Sequence, residues 1–232
     1  MIRRACHFVC GSVLLLTATQ VGAADCVDAG AVYGATFEIT SDTRETPREI
    51  TVLRQMPGRV MYVMEGDHLT RVYENFKNGR AAVLEYFDLE NIGVEYEPAP
   101  YEWDALYEFF PVSRLADIPQ TGTGEFHCLE TVTHAGPDGE GSLKVSYLKD
   151  LRFPVLVEQA SPRGSQQWKL TQLHTDRQLL ASHLARVETY TTYDFADLGD
   201  SENEPFFRNS EYLKYKVHGG EGGHDHGHGH AH

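Results

Sequence analysis

The chain reads as a mainly β protein, a curved antiparallel sheet or half-barrel with a few short helices. Two observations predict this class. Short apolar stretches with strand-like alternation recur from residue 31 to about 217. Turn-forming residues separate them roughly every 8–12 positions, the spacing of antiparallel sandwiches and barrels. A third observation supplies the helices: between 102 and 110 the apolar period lengthens from two to nearly four.

The elements follow in order. Residues 36–40, 49–55, 59–65, 69–76, 80–87 and 92–97 are candidate strands. Pro57-Gly58, Gly66-Asp67 and Asn78-Gly79 separate several of them, and Asn78-Gly79 is the strongest hairpin signal because both residues tolerate positive φ. Trp103, Leu106, Tyr107 and Phe110 stand at i, i+3, i+4 and i+7, which predicts a helix over 102–110 that Pro111 ends. Strands resume at 124–132 and 142–148, with Pro137-Asp138-Gly139 as the turn between them. Residues 155–159, 167–173 and 184–193 complete the strand set, with 179–186 as an alternative helix. Acids followed by Pro205 predict a short helix over 204–213, packing Phe206 and Leu213 on the body.

The ends differ from this body. Arg3 and Arg4, the apolar stretch 9–16 and the small residues Val21-Gly22-Ala23 have the form of a secretory signal peptide, so residues 1–23 are set apart. Ala23 and Asp25 before Cys26 do not make a lipid-attachment pattern. Later segments are neither long nor apolar enough to span a membrane. A single β-rich domain is expected over 24–217, followed by a disordered tail, 218–232, of Gly, His and acids. Export places the product in the periplasm. Of four cysteines only Cys26 and Cys128 follow the leader, an even pair in an oxidising compartment, and they are expected to form a disulfide.

Composition excludes some partners. Lys and Arg number 20 against 34 Asp and Glu, a net charge of −14 that becomes −16 once Arg3 and Arg4 leave with the leader. Phosphate backbones and anionic bilayers are bound by clustered cations, so neither nucleic acid nor a membrane surface is an expected partner.

The succession of hairpins over 59–65, 71–76 and 80–86, the helical insert at 103–110 and the segment Leu151-Arg152-Phe153-Pro154-Val155 beside 165–170 resemble the LolA-like fold of periplasmic lipoprotein carriers. The resemblance covers about residues 35–193. It implies a curved antiparallel sheet whose concave face holds something apolar beneath helices, and it assigns no site residues.

The sharpest chemical signal is the tail. His224, His226, His228, His230 and His232 alternate with Asp225, glycine and alanine, and His218 stands at the start of a glycine-rich tether. Small neighbours let several imidazoles converge on one ion, and imidazole suits zinc, copper and nickel. The expected metal ligands are therefore His218, His224, Asp225, His226, His228, His230 and His232, binding Zn²⁺ or Cu²⁺. A mobile set of overlapping sites suits capture or hand-over to a transporter or acceptor protein rather than rigid catalysis. No nucleophile motif is present, and the chain is read as a non-enzyme.

Three other sets are weighed. Asp194, Asp197, Asp200, Glu202 and Glu204 are either oxygen ligands for a cation or solvated charge at a helix start. Among the scattered histidines, His174 and His183 are the pair that a hairpin could bring together. Trp103, Tyr107, Phe109 and Phe110 either line an apolar groove or fill core. Metal capture through the tail is the leading reading, and carriage of an apolar ligand or lipid in the sheet is the alternative.

Overall fold

The computed structural model describes residues 26–55, 58–76, 78–201 and 204–208. They build one open, curved sheet of twelve strands. A first meander runs through β1 (Gly34–Ser41), β2 (Arg48–Gln55), β3 (Arg59–Met64), β4 (Leu69–Asn75), β5 (Arg80–Phe87) and β6 (Ile92–Pro100). Helix α1 (Trp103–Glu108) and a 3-10 turn at Val112–Leu115 lead into the second. That meander comprises β7 (Gln120–Phe126), β8 (Leu129–Asp138), β9 (Gly141–Leu148), β10 (Pro154–Ser161) and β11 (Gly164–His174). The chain then forms α2 (Gln178–Val187), β12 (Thr191–Asp194), a 3-10 stretch at Phe195–Ser201 and α3 (Pro205–Arg208).

Strand β11 returns beside β1, so the two meanders fuse into the order β12-β6-β5-β4-β3-β2-β1-β11-β10-β9-β8-β7. All pairings are antiparallel except that of β12 with β6, which is parallel. The parallel strand follows from its connection, because α2 crosses the sheet before β12 is laid down. Gly93 on β6 makes room for it: a Cβ there would meet Thr192 Oγ1 at 2.9 Å and the Tyr86 ring at 3.0 Å.

Alternation gives the sheet two unlike faces. The inner face carries Ala35 and Phe37 of β1, Ile50 and Val52 of β2, Val60 of β3, Phe87 of β5 and Val94 of β6, all buried. It continues across Leu170, Val157 and Val145 of the second meander. Residues 103–118, the turn at 151–153 and α3 cover it, with Phe206 of α3 seated 4.9 Å from the Phe87 ring. The outer face is apolar only over the first meander. There Leu180 and Val187 of α2 pack on Leu53, Met61, Val63 and Val72.

Several expectations need correction. Residues 124–132 are not one strand but parts of the β7–β8 hairpin, which turns at His127-Cys128. Both turn residues have positive φ (50° and 64°) and neither is glycine or asparagine, so the turn carried no composition cue. Its hold is the bond from Cys128 to Cys26, with Cα atoms 5.1 Å apart, and Val27 N–H donating to His127 O at 3.1 Å. Pro137 and Asp138 belong to β8, and the turn falls at Gly139 with φ 59°. The proposed strand 184–193 is divided: its first part ends α2, the alternative helix, and its last residues begin β12. The helix expected over 204–213 is described only as Pro205–Arg208, and Leu213 lies outside the described residues, as does the leader 1–23.

Candidate functional site

The largest concentration of unusual chemistry lies on the inner face beneath α1. Strand β2 alternates Ile50, Val52, Arg54 toward this face, so its pleat delivers a guanidinium into an apolar layer. Arg54 is 8% exposed. Its Nε donates to Tyr107 O and its Nη1 to Leu151 O, each at 2.6 Å. The cation is sandwiched between the Phe153 ring, 3.5 Å from its centroid, and the Tyr107 ring at 4.4 Å. Burial pushes its pKa down to about 10, well above neutral, so the group stays charged. Its Nη2 is buried and meets no partner among the described residues.

One side chain thus ties together three elements: the sheet, the C-terminal turn of α1 and the β9–β10 turn. Neighbouring groups reinforce the attachment. Tyr62 on β3 donates its hydroxyl to Leu106 O, and burial raises its pKa. Glu108, 3% exposed, accepts from Val112 N–H at 2.8 Å and from Arg152.

Phe109 follows α1 with φ 65° and ψ −39°, a conformation costly for a bulky side chain. Its ring lies 4.6 Å from Phe37, 5.1 Å from Trp168 and 5.7 Å from Tyr62, over the junction of the two meanders. This backbone conformation turns the ring onto the inner face, where it is partly buried. The aromatic set expected at 103–110 therefore divides its work. Phe110 is core at 3% exposure, whereas Phe109, Trp103 and Tyr107 are partly buried, Phe109 lying against the inner face.

Polar groups interrupt the inner face one strand pair further on. Arg71 on β4 pairs with Glu85 on β5 at 2.6 Å, and Tyr96 on β6 donates to the other Glu85 oxygen at 2.7 Å. The charges satisfy each other beside the tyrosines Tyr62 and Tyr73.

The residues singled out from sequence are placed as follows. His218, His224, Asp225, His226, His228, His230 and His232, the expected metal ligands, lie outside the described residues, as does Glu202. Asp194 accepts from Ala196 N–H at 2.8 Å, and Glu204 accepts from the Tyr193 hydroxyl at 3.4 Å, local contacts of a turn and a helix start. Among the described residues no group of three His, Cys, Asp or Glu side chains is arranged to hold an ion. His174 ends β11 and His183 lies on α2, so the two interact through their charges across the β11–α2 junction rather than through a hairpin. His174 Nε2 is hydrogen-bonded to Thr36 Oγ1 at 2.7 Å, and Arg186 contacts His183 Nδ1 at 3.3 Å. Burial lowers both pKa values, and the neighbouring cation lowers each further, His183 acting on His174 and Arg186 on His183. Arg54 was not singled out, although its place in the alternation with Ile50 and Val52 was visible.

Comparisons with known proteins are sparse. No protein-family model matches the chain, and no curated protein matches its sequence. Among solved structures, the chain is similar to PNGF-II, with a TM-score of 0.40 and 12% identity over 73% of this chain and 32% of that one. It is also similar to MucB in complex with MucA(peri), with a TM-score of 0.34 and 13% identity over 62% of this chain and 50% of that one. The Pseudomonas aeruginosa MucA/MucB complex gives a TM-score of 0.34, 16% identity and 62% and 51% coverage. The chain thus spans about a third of the PNGF-II chain and half of the MucB chains.

Proposed function

We propose that the chain is an exported, periplasmic binding protein, not an enzyme, that shelters an apolar ligand against the inner face of its sheet. The observation that carries this reading is the Arg54 clamp. Besides the apolar packing of Trp103, Leu106 and Phe109, the six-residue α1 is tied to the sheet by polar bonds, from Arg54 to Tyr107 O and from Tyr62 to Leu106 O, and Arg54 links it in turn to Leu151 O of the β9–β10 turn. The two Arg54 bonds break together when that side chain moves. Releasing them frees Phe109 from its strained conformation and uncovers Phe37, Tyr62 and Trp168. The order of hairpins and helical insert that resembles the LolA-like carriers supports the same reading.

Titration with a fluorescent long-chain fatty acid tests it. Saturable uptake of one equivalent, strengthened by Arg54→Leu, is expected. Absence of saturable uptake by both proteins contradicts the reading.

The histidine tail supports a second activity on the same chain. Five histidines alternate with small or acidic residues over 224–232, a pattern suited to exchangeable Zn²⁺ or Cu²⁺ capture and to hand-over to a transporter or acceptor protein. This reading rests on sequence and is independent of the inner face.

A further inference from the structure

Strand β7 forms one end of the sheet, and among the described residues no strand pairs with its outer side. Its backbone orientation follows from the hairpin. Phe126 and Leu129 flank a two-residue turn, so they exchange hydrogen bonds across the strands. Alternation then directs the N–H and C=O of Gly124 to β8, and those of Glu125 and Thr123 away from it. Thr121, Thr123 and Glu125 are all exposed.

Natural edge strands are guarded by lysine, proline, strong bulges or a covering segment. The opposite edge of this sheet ends in a strand of only four residues that runs straight into a 3-10 stretch. Strand β7 has seven residues, with no lysine and no proline, and its one irregularity, between Gln120 and Gly122, sits at its beginning.

The sequence of β7 is its own complement when reversed about Thr123. Thr123 then faces Thr123, Glu125 faces Thr121, and Gly122 faces Gly124. No like charges are opposed in this register, and the paired glycines put no side chains between the strands on the outer side. A shift of two residues brings Glu125 opposite Thr123 and leaves the end of the strand unpaired. The centred register joins the outward-facing Thr123 groups to each other on the two-fold axis and pairs the strand over its whole length.

We propose that two copies of the chain associate by antiparallel pairing of their β7 strands about a two-fold axis at Thr123, extending one sheet across both. The contact is a single strand pair, well below the area of a permanent interface, so association is reversible and concentration-dependent. Each chain carries a net charge of −14, so the dimer strengthens as salt screens repulsion between the bodies.

Sedimentation velocity of the full chain, from micromolar to near-millimolar concentration, tests the proposal with a charge swap at the dyad. Thr123→Lys and Thr123→Glu each place like charges face to face, while within one chain they oppose only Val132. The wild type is expected to dimerise, each variant alone to stay monomeric, and the mixture of both to recover the dimer. Thr123→Pro provides a second readout, because it removes an outward N–H without touching the β7–β8 ladder. It is expected to be monomeric with an unchanged circular dichroism spectrum. A wild type that remains monomeric throughout overturns the proposal and leaves the edge to an extended peptide of another protein. Single charged variants that dimerise as the wild type does, or a mixture that stays monomeric, also overturn it.

Discussion

Arg54 concentrates the chemistry of the inner face in one side chain. It lies on the apolar parity of β2, two residues beyond Val52, and a charge there is tolerated because two carbonyls and two rings receive it. Parity was legible in the sequence, but its partners were not, since Tyr107 and Leu151 lie 53 and 97 residues away. Arg54→Leu leaves both carbonyls without their donor and is expected to cost roughly 3 kcal/mol, measured by urea unfolding. Arg54→Lys, which cannot reach both carbonyls with one fork, is expected to recover only part of that loss. A second residue-scale prediction concerns His174 and His183. Their folded pKa values lie below 6.5, so the folded state binds fewer protons than the unfolded chain. Their contribution to stability is fully present above about pH 6.5 and is lost as pH falls from there toward the depressed folded values. Urea midpoints are expected to drop between pH 7.5 and 5.5, and less steeply in the His174→Gln/His183→Gln protein. An equal slope in both proteins excludes the pair as its source.

At the scale of elements, hairpins with chemical turn signals were legible and those held from a distance were not. Asn78-Gly79 announced the β4–β5 hairpin, and Gly79 takes φ 75° there. The His127-Cys128 turn announced nothing, because its positive φ values are held by a disulfide to a residue 102 positions away. Helix α1 was visible in its aromatic spacing, but local periodicity could not show that its last turn ends in a strained residue. Strand β12 was merged with α2, because parallel pairing with β6 is a tertiary property that four residues do not advertise. Its docking depends on Gly93, so Gly93→Val is expected to push Thr192 outward and weaken β12. The cost is about 1–3 kcal/mol, the range for overpacking. Faster amide exchange confined to residues 191–194 and their β6 partners checks it, and exchange that rises evenly over the whole sheet contradicts it.

The whole molecule divides into a twelve-stranded sheet whose architecture its composition and turn spacing made legible, and terminal segments known from sequence alone. The proposed metal capture belongs to the second part. Truncation after Val217 is expected to abolish zinc binding in calorimetry, and binding by the full chain is expected to weaken as pH falls through about 6.5, where imidazole protonates. A truncated body with undiminished capacity removes the tail from the account. The proposed ligand carriage belongs to the sheet, and it requires α1 to leave the inner face when a ligand enters. Hydrogen exchange of the α1 amides, with and without saturating fatty acid, measures that step directly. The account predicts that protection across Trp103–Glu108 falls on loading while the strands beneath stay protected. Saturable binding with α1 protection unchanged would contradict it.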